Sequence, residues 1–191
     1  MPAIERRRQI VRVASRLLAE RGIDHVRIPE VAERAGVTRA VVYRFFTSRQ
    51  ELLSAILVDF RGEIERRYAE RSALLRDGRP IDVAVRGFIA ATCDAIETTG
   101  AGGFVLLNMD GPDPELAALS RATREALNEP WLARVANVTD VDRVMATAIS
   151  AMSVASSRAV IALFLEGTIT RDQAADVLAR GVDALLAEFR R

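Results

Sequence analysis

Half of the 191 residues are apolar and only a twentieth are aromatic, with alanine, leucine and valine dominant. This composition favours packed helices over a β-sandwich. A single cysteine, Cys93, excludes an internal disulfide or a cysteine-rich metal site and indicates a reducing compartment. No N-terminal apolar run resembles a signal peptide, so we expect a cytoplasmic protein.

The net charge of +1 hides an asymmetry along the chain. Residues 1–50 carry eleven arginines against five acidic residues, a balance of +6. Residues 51–191 carry sixteen arginines against twenty-one acidic residues, a balance of −5. A basic first part on an acidic remainder is typical of a protein that binds nucleic acid at one end.

Residues 6–21 predict a first helix, because Ile10, Ala14 and Leu18 recur at helical spacing and form an apolar stripe. Three arginines, at positions 6 to 8, precede this stripe. They could reach phosphates or a minor groove, or they could simply be solvated, and the sequence favours neither interpretation.

The segment 27–46 predicts two short helices joined by a tight turn. Pro29 lies where a proline is tolerated in a first helical turn, since its missing N–H would be unpaired there anyway. Val31 and Ala32 begin an apolar face, and Gly36 can end the helix in the left-handed conformation at no steric cost. This spacing indicates a helix-turn-helix, in which small contact residues let the two helices cross closely.

The second of these helices is predicted over Thr38–Phe46, with the Thr38 hydroxyl as its N-cap and Val42, Phe45 and Phe46 directed inward. Its opposite face consists of Ala40, Tyr43 and Arg44, with Val41 at the edge and Arg39 in the first turn. Such a face can enter a major groove, where arginine binds guanine and small apolar groups contact thymine methyls.

The run VAERAGVTRAVVYRFF, followed by the S-R-Q-E-L-L of residues 48–53, resembles the DNA-binding signature of the TetR family of regulators. The resemblance is specific over residues 6–55 and only architectural beyond them. It implies an all-α fold with a three-helix DNA-binding domain over residues 1–47. A helical ligand-binding and dimerisation domain would follow over residues 48–191.

Two arginines are assigned to the DNA backbone with the help of this resemblance. Arg27 stands where the family pattern leads us to expect a capping serine or threonine, so the cap must come from elsewhere, such as Asp24, while Arg27 could pair with a phosphate. Arg49 would lie beside the backbone in the first turn of the next helix. The predicted DNA-binding residues are therefore Arg27, Thr38, Arg39, Ala40, Val41, Tyr43, Arg44 and Arg49.

Ser48 and Glu51 form a capping-box pattern that begins a long helix. This helix would link the DNA-binding domain to the helical body, so it is a candidate for transmitting ligand binding to the DNA-binding domain. The alternative is a solvated helix with no signalling role. Further along, residues 100–103 (Gly-Ala-Gly-Gly) predict a flexible loop. Residues 110–114 predict a turn, with Asp113 as the N-cap and Pro114 at the first position of the next helix. This helix is predicted to be interrupted near Pro130.

The resemblance also implies a small-molecule effector bound within the helical body. Pockets for such ligands are mostly apolar with a few polar anchors, although core packing explains many of the same residues. The candidate ligand-binding residues are Phe88, Thr92, Phe104, Leu107, Asn108, Trp131 and Met145.

Residues 144–165 contain one charge, Arg158, and are long enough to span a membrane. Five hydroxyl residues and the central arginine argue against a span, and small residues recur along one stripe. Thr170 and Gln173 then begin a last helix with a second capping box. The resemblance implies a four-helix homodimer interface rather than a membrane helix, formed by Ala148, Met152, Ala155, Ala159, Ala162, Val177, Leu178, Gly181 and Leu185.

We find no catalytic or metal-binding motif in the sequence, and Cys93 on an apolar helix is typical of a small core residue. The predicted function is a DNA-binding transcriptional regulator, a homodimeric and ligand-responsive repressor that binds a palindromic double-stranded operator without a cofactor. Two alternatives stay open: a regulator controlled by a protein partner or by nothing, and a helical enzyme with an incidental helix-turn-helix.

Overall fold

The computed structural model describes residues 2–72, 80–109 and 113–189. Within these ranges every regular element is helical, which agrees with the predicted all-α fold. The α-helices in chain order are α1 (Ala3–Arg21), α2 (Ile28–Arg34), α3 (Arg39–Tyr43), α4 (Arg49–Ser72), α5 (Ile81–Thr99), α6 (Gly102–Leu107), α7 (Pro114–Val138), α8 (Arg143–Leu165) and α9 (Arg171–Ala187). A short 3-10 turn, Ile23–His25, connects α1 to α2.

The chain folds into two compact units, each made of two stretches of sequence. One unit comprises Met1–Glu63 and Ala95–Thr123, and the other comprises Ile64–Asp94 and Arg124–Arg191. The helices α4, α5 and α7 each contribute to both units. The boundary expected after residue 47 stays a prediction about independent folding domains.

The first unit has a core that joins the helix-turn-helix to later helices. Ile10 of α1 and Val42 of α3 are fully buried in it. Leu106 of α6 and Leu116 of α7 belong to the same apolar cluster, although they are far away in sequence. The helix-turn-helix segment is therefore packed against residues of α6 and α7 within this unit.

The second unit is built on the apolar faces of the remaining helices. Its buried residues include Ile81, Ile89, Val135, Ile149, Ile161, Ala174, Leu178 and Leu186. Thr170 begins α9 with both bonds of the predicted capping box: its hydroxyl accepts from the Gln173 N–H at 3.2 Å, and the Gln173 side chain accepts from the Thr170 N–H at 2.8 Å.

The glycine-rich segment 100–103 is not the flexible loop that the sequence predicts. Gly100, with φ +88°, forms the turn after α5, but Gly102 and Gly103 are buried and begin α6. The reason is tertiary: a Cβ at Gly102 would lie 2.4 Å from the Ser15 carbonyl oxygen, and one at Gly103 would lie 2.3 Å from the Phe60 Cβ. The glycines serve close helix packing instead of chain flexibility.

The predicted interruption at Pro130 is also wrong, because α7 runs unbroken over 25 residues from Pro114 to Val138. A proline inside a helix removes one backbone N–H donor and can bend the helix without ending it. The predicted N-cap of this helix is confirmed, since the Asp113 carboxylate accepts from the Leu116 N–H at 3.0 Å. The rest of the turn predicted before Pro114 lies outside the described residues.

Candidate nucleic-acid interface

The turn between α2 and α3 has the tight geometry that the sequence predicts. Gly36 adopts φ +64°, and its N–H donates to the Glu33 carbonyl at 3.1 Å. The next N–H, of Val37, donates to the Ala32 carbonyl at 3.0 Å. These two bonds close the end of α2 in the manner of a glycine C-cap and fix the direction in which α3 leaves.

Helix α3 is short, with five residues of regular α-helix. The Thr38 hydroxyl accepts from the Val41 N–H at 3.3 Å and caps its start. Regular α-helix covers Arg39–Tyr43 only, with single bonds from the Phe45 and Phe46 N–H groups continuing the turn. The predicted helix to Phe46 was thus too long at its C-terminal end.

The two faces of α3 differ sharply in exposure. Val42 and Phe46 are 0% and 1% exposed and anchor the helix in the core. The residues predicted to contact DNA lie on the other side: Thr38, Arg39, Ala40, Tyr43 and Arg44 are exposed, and Val41 is half-buried. A helix with a buried anchor and an exposed face bearing two arginines and a tyrosine can enter a major groove.

Arg49 has an intramolecular role that the sequence did not reveal. Its guanidinium donates to the Val26 carbonyl at 2.8 Å and to the Ile23 carbonyl at 2.6 Å. The side chain therefore braces the turn between α1 and α2 from the start of α4, while the residue remains exposed. Its carbonyl partners lie 23 and 26 positions away in sequence, so only the fold reveals this contact.

Arg27 lies in the same turn. It is the N-cap residue of α2 without a side-chain cap bond, and its Nε donates to the Asp24 carbonyl at 3.0 Å. Asp24 therefore provides a backbone oxygen to Arg27 and not the cap that we expected for α2. Both predicted phosphate-binding arginines, Arg27 and Arg49, are exposed and hydrogen-bonded to this one turn.

The cap of α4 differs from a standard capping box in one bond. The Ser48 hydroxyl accepts from the Glu51 N–H at 3.1 Å, as predicted. The Glu51 carboxylate, however, accepts from the N–H and the hydroxyl of Thr47, at 2.6 and 2.8 Å, instead of from the Ser48 N–H. These backbone and side-chain bonds lower the pKa of Glu51 below its ordinary value.

The three arginines at the start of α1 have different environments. Arg7 pairs with the Asp59 carboxylate at 2.9 Å and lies 5.5 Å from the centroid of the Phe46 ring. Arg6 donates to the Gln9 side chain at 2.8 Å, and Arg8 is exposed. Arg7 therefore connects α1 to α4 and contacts Phe46, which follows α3 in the chain.

Among the predicted ligand-binding residues, Phe88 and Trp131 lie in ring contact, with centroids 5.4 Å apart. Tyr68 completes this aromatic cluster at 5.7 Å from Phe88 and 6.2 Å from Trp131. Burial raises the pKa of Tyr68, an effect that the positive charge of Arg134 opposes. Tyr68 was not among the residues predicted for the ligand site, and it occurs in a charged run of α4.

The other predicted ligand-binding residues are divided between the two units. Phe104, Leu107 and Asn108 belong to α6 and its end in the first unit, where the Asn108 amide donates to the Phe104 carbonyl at 2.8 Å. The buried Thr92 hydroxyl donates to the Phe88 carbonyl at 2.9 Å. Met145 is 45% exposed on α8.

The residues predicted for the dimer interface include an exposed apolar face. Met152 and Val177 are 56% exposed, and a Cβ at Gly181 would meet no atom within 4 Å. Ala148, Ala155 and Ala159 are exposed, and Ala162 and Leu185 are half-buried. Leu178 differs from the rest, because it is 3% exposed and belongs to the core of its own chain.

Comparisons with known proteins agree with this architecture. Residues 10–56 match the family described as bacterial regulatory proteins, tetR family. The HTH-type transcriptional activator FasR of Mycolicibacterium smegmatis is 27% identical over 163 residues, 83% of this chain and 73% of FasR. The HTH-type transcriptional regulator TtgR of Pseudomonas putida is 40% identical over 55 residues, 29% of this chain and 26% of TtgR.

Solved structures share the fold over nearly the whole chain. A TetR-like transcriptional regulator from Rhodococcus sp. RHA1 has a TM-score of 0.79 at 17% identity and covers 98% of both chains. The ketosteroid transcriptional regulator KstR2 of Mycobacterium tuberculosis has a TM-score of 0.68 at 16% identity, covering 97% of this chain and 95% of that one.

The capped recognition helix, its exposed basic face and the all-α fold define a DNA-binding transcriptional regulator of the helix-turn-helix class. The segment over residues 10–56 is the DNA-binding part described for the tetR family of bacterial regulatory proteins. The fold of the described residues is that of TetR-like regulators of known structure.

Proposed function

We propose that this protein is a homodimeric repressor that binds a two-fold symmetric DNA operator and releases it when a small molecule binds its helical body. The observation that carries the dimer is the exposed apolar face of α8 and α9. Each subunit would present α3 to a major groove. A symmetric dimer then requires symmetric half-sites, because each subunit makes the same contacts.

Helix α8 shows why a partner surface is needed. Its most apolar 18-residue window has a mean hydropathy of 1.7, yet only 11% of that window is buried. Exposed apolar surface of this extent is unfavourable in water and marks an interaction site. The alanines at 148, 155 and 159 allow another helix to approach closely, so a second copy of this chain is a suitable partner.

By length and composition α8 could also cross a membrane. The exposed Arg158 in its second half argues for a protein partner, because an isolated cation is costly in the hydrocarbon core. We therefore propose a cytoplasmic dimer in which Val177, Gly181 and Leu185 of α9 extend the interface. Leu178 supports this face from the core of its own subunit.

The DNA contacts divide into two classes. Arg39, Tyr43 and Arg44 would meet base edges from α3, while Arg27, just before α2, and Arg49, at the start of α4, would meet phosphates. Phosphate contacts fix the register of the protein on the duplex, and base contacts select the sequence. All five side chains are exposed, and the division rests on whether the residue belongs to α3 or lies outside it.

The effector would bind at the aromatic cluster of Tyr68, Phe88 and Trp131. Three aromatic side chains with a hydroxyl among them provide apolar contact and one polar anchor, which is the usual form of a small-molecule site. Control by a protein partner, or no control at all, is the competing proposal. Since FasR is described as an activator, the sign of regulation needs its own test.

The test begins with selection of DNA by the full-length protein from a pool of random duplexes. We expect enrichment of an inverted repeat, bound by two subunits as measured by light scattering of the complex. A sequence without two-fold symmetry, or a complex with one subunit, would contradict the dimer. Failure to enrich any sequence would instead favour a helical enzyme with an incidental helix-turn-helix.

Trp131 is the only tryptophan, so its fluorescence reports directly on the proposed effector site. We expect a compound that quenches Trp131 to release the selected DNA at the same concentration. Phe88→Ala should abolish both effects, while DNA binding without the compound is retained. A compound that releases DNA with no change in Trp131 fluorescence would place the site elsewhere.

In a reporter strain, repression predicts higher expression when the gene for the regulator is deleted.

A further inference from the structure

Asp94 of α5 is a buried carboxylate that binds arginines from two other helices. Its side chain is 8% exposed. Arg171 of α9 donates to one carboxylate oxygen at 2.9 Å, and Arg67 of α4 donates to the other at 3.3 Å. One acidic side chain therefore connects α4, α5 and α9 within the second unit.

This arrangement is held firmly because a buried charge that loses its partners is costly. Arg171 is the first residue of α9, where the helix dipole disfavours a cation, so the bond to Asp94 offsets an unfavourable position. The Asp94 carboxylate also raises the pKa of Arg171, through a hydrogen bond and its charge. The start of α9 is thereby fixed to α5.

A second ion pair on the same two helices provides a natural control. Arg86 of α5 and Asp176 of α9 are 2.7 Å apart, with side chains 40% and 45% exposed. Within the part of the chain that the structure describes, this pair has a further contact with Arg180 of α9 and connects α5 to α9 without a residue of α4. Arg67, by contrast, brings α4 to the Asp94 carboxylate.

Helix α4 begins at Arg49, the residue that braces the turn of the DNA-binding domain. Arg67 lies 18 residues further along the same helix. The helix α9, at the other side of Asp94, carries part of the proposed dimer face.

We infer that Asp94 is a positioning residue that couples the dimerisation helix α9 to α4 and thereby sets the spacing of the half-sites that the dimer binds. This inference rests on the proposed function, because spacing has meaning only for a dimer on a two-fold operator. It assigns a role in DNA selection to three residues that contact no DNA. The link through Arg67 restrains α4, and the link through Arg171 restrains α9.

The test uses Arg67→Gln, which removes the link to α4 and leaves the pair of Asp94 with Arg171. Wild-type protein is titrated with the selected inverted repeat and with versions that carry one or two base pairs added or removed between the half-sites. We expect a loss of about tenfold per inserted base pair for the wild type, because each base pair rotates one half-site relative to the other. Arg67→Gln should reduce this discrimination to about twofold or less.

Arg86→Gln is the control, since it removes a more exposed ion pair that joins α5 to α9 without α4. It should retain the spacing preference of the wild type. A variant Arg67→Gln with an unchanged spacing profile overturns the inference, and so does an Arg86→Gln profile that broadens equally. If the wild type binds no DNA, the proposed function fails first, which separates the two outcomes.

A measurement without DNA gives an independent answer. Ile4 is 65% exposed on α1, whereas the native Cys93 is fully buried, so a spin label on Ile4→Cys can be placed selectively. In the free dimer, the distribution of distances between the two labels should broaden for Arg67→Gln and stay narrow for Arg86→Gln. Asp94→Asn should broaden it as well when the protein folds. Equal widths for the wild type and Arg67→Gln contradict the coupling, whatever the variants do to stability.

Discussion

The Ser15 hydroxyl accepts a hydrogen bond from the Gly102 N–H at 3.1 Å, and this bond fixes the start of α6 against α1. Both residues are buried, and Ser15 has no exposed surface. A Cβ at Gly102 would lie 2.4 Å from the Ser15 carbonyl oxygen. The two helices therefore meet at a backbone-to-backbone distance that only glycine permits.

Gly102→Ala should destabilise the protein by about 1–3 kcal/mol or more, because the added methyl group meets the Ser15 backbone and not a flexible side-chain end. Gly62→Ala is the control. Gly62 is exposed within α4 and has no atom within 4 Å of its Cβ position, so alanine there should stabilise by roughly 0.5–1 kcal/mol. Urea titrations of both variants measure the difference, and equal midpoints would show that α6 can move aside freely.

Arg44→Ala should reduce base selection without an effect on folding. Arg44 is exposed at the end of α3, on the side opposite the buried Val42. Its loss should cost roughly 1–3 kcal/mol per base contact and flatten the preference at one base pair in each half-site. Competition titrations against single-base operator variants measure this. A uniform loss across all variants would show that Arg44 contacts only phosphate.

Arg49→Ala should affect both DNA affinity and stability. The guanidinium donates to the Val26 and Ile23 carbonyls, so we expect its removal to lower the free energy of unfolding by about 1 kcal/mol. For the wild type, log K against log[salt] should have a slope of roughly −5 to −9 if each subunit neutralises three to five phosphates. Arg49→Ala should reduce that slope by about one unit per subunit with unchanged base preference. An unchanged slope would leave Arg49 as a purely structural residue.

Met152→Asp should convert the dimer to a monomer. Met152 is 56% exposed on α8, so the substitution disturbs few contacts within its own chain. Two carboxylates buried across the symmetric interface should weaken dimerisation by about 100-fold or more. Val58→Asp, at a residue 53% exposed on α4, is the control for an added surface charge. Light scattering over a range of concentrations measures both variants, and a dimeric Met152→Asp protein would rule out this face as the interface.

Glu51 should contribute to the pH dependence of stability. Its hydrogen bonds from Thr47 lower its pKa in the folded chain relative to its ordinary value of 4.5. The carboxylate therefore stabilises the fold above about pH 4.5, and this contribution is lost as the pH falls through the lower folded value. Urea midpoints of the wild type should fall more between pH 7 and pH 4 than those of Glu51→Gln. Glu33→Gln, at an exposed glutamate of α2, controls for net charge, and equal slopes for all three proteins would contradict this role.

The sequence by itself determined those features that depend on neighbouring residues. Gly36 adopts the left-handed conformation, which glycine permits wherever it occurs in a chain. Thr38 and Thr170 cap their helices through bonds to residues only three positions further along. Helical spacing likewise predicted that Val42 and Phe46 are buried and that Tyr43 and Arg44 are exposed. Local hydrogen bonding and periodicity are sufficient for such predictions.

The tertiary structure decided what depends on distant partners. Gly102 and Gly103 follow a loop pattern in sequence, yet they begin a buried helix because Ser15 and Phe60 pack against them. Arg49 donates hydrogen bonds to carbonyls more than twenty positions earlier in the chain. Asp94 forms ion pairs with Arg67 and Arg171. The residues next to each of these positions in the sequence do not reveal such partners. The free energy of a buried bond or a close contact depends on which distant residue the folded chain brings into contact.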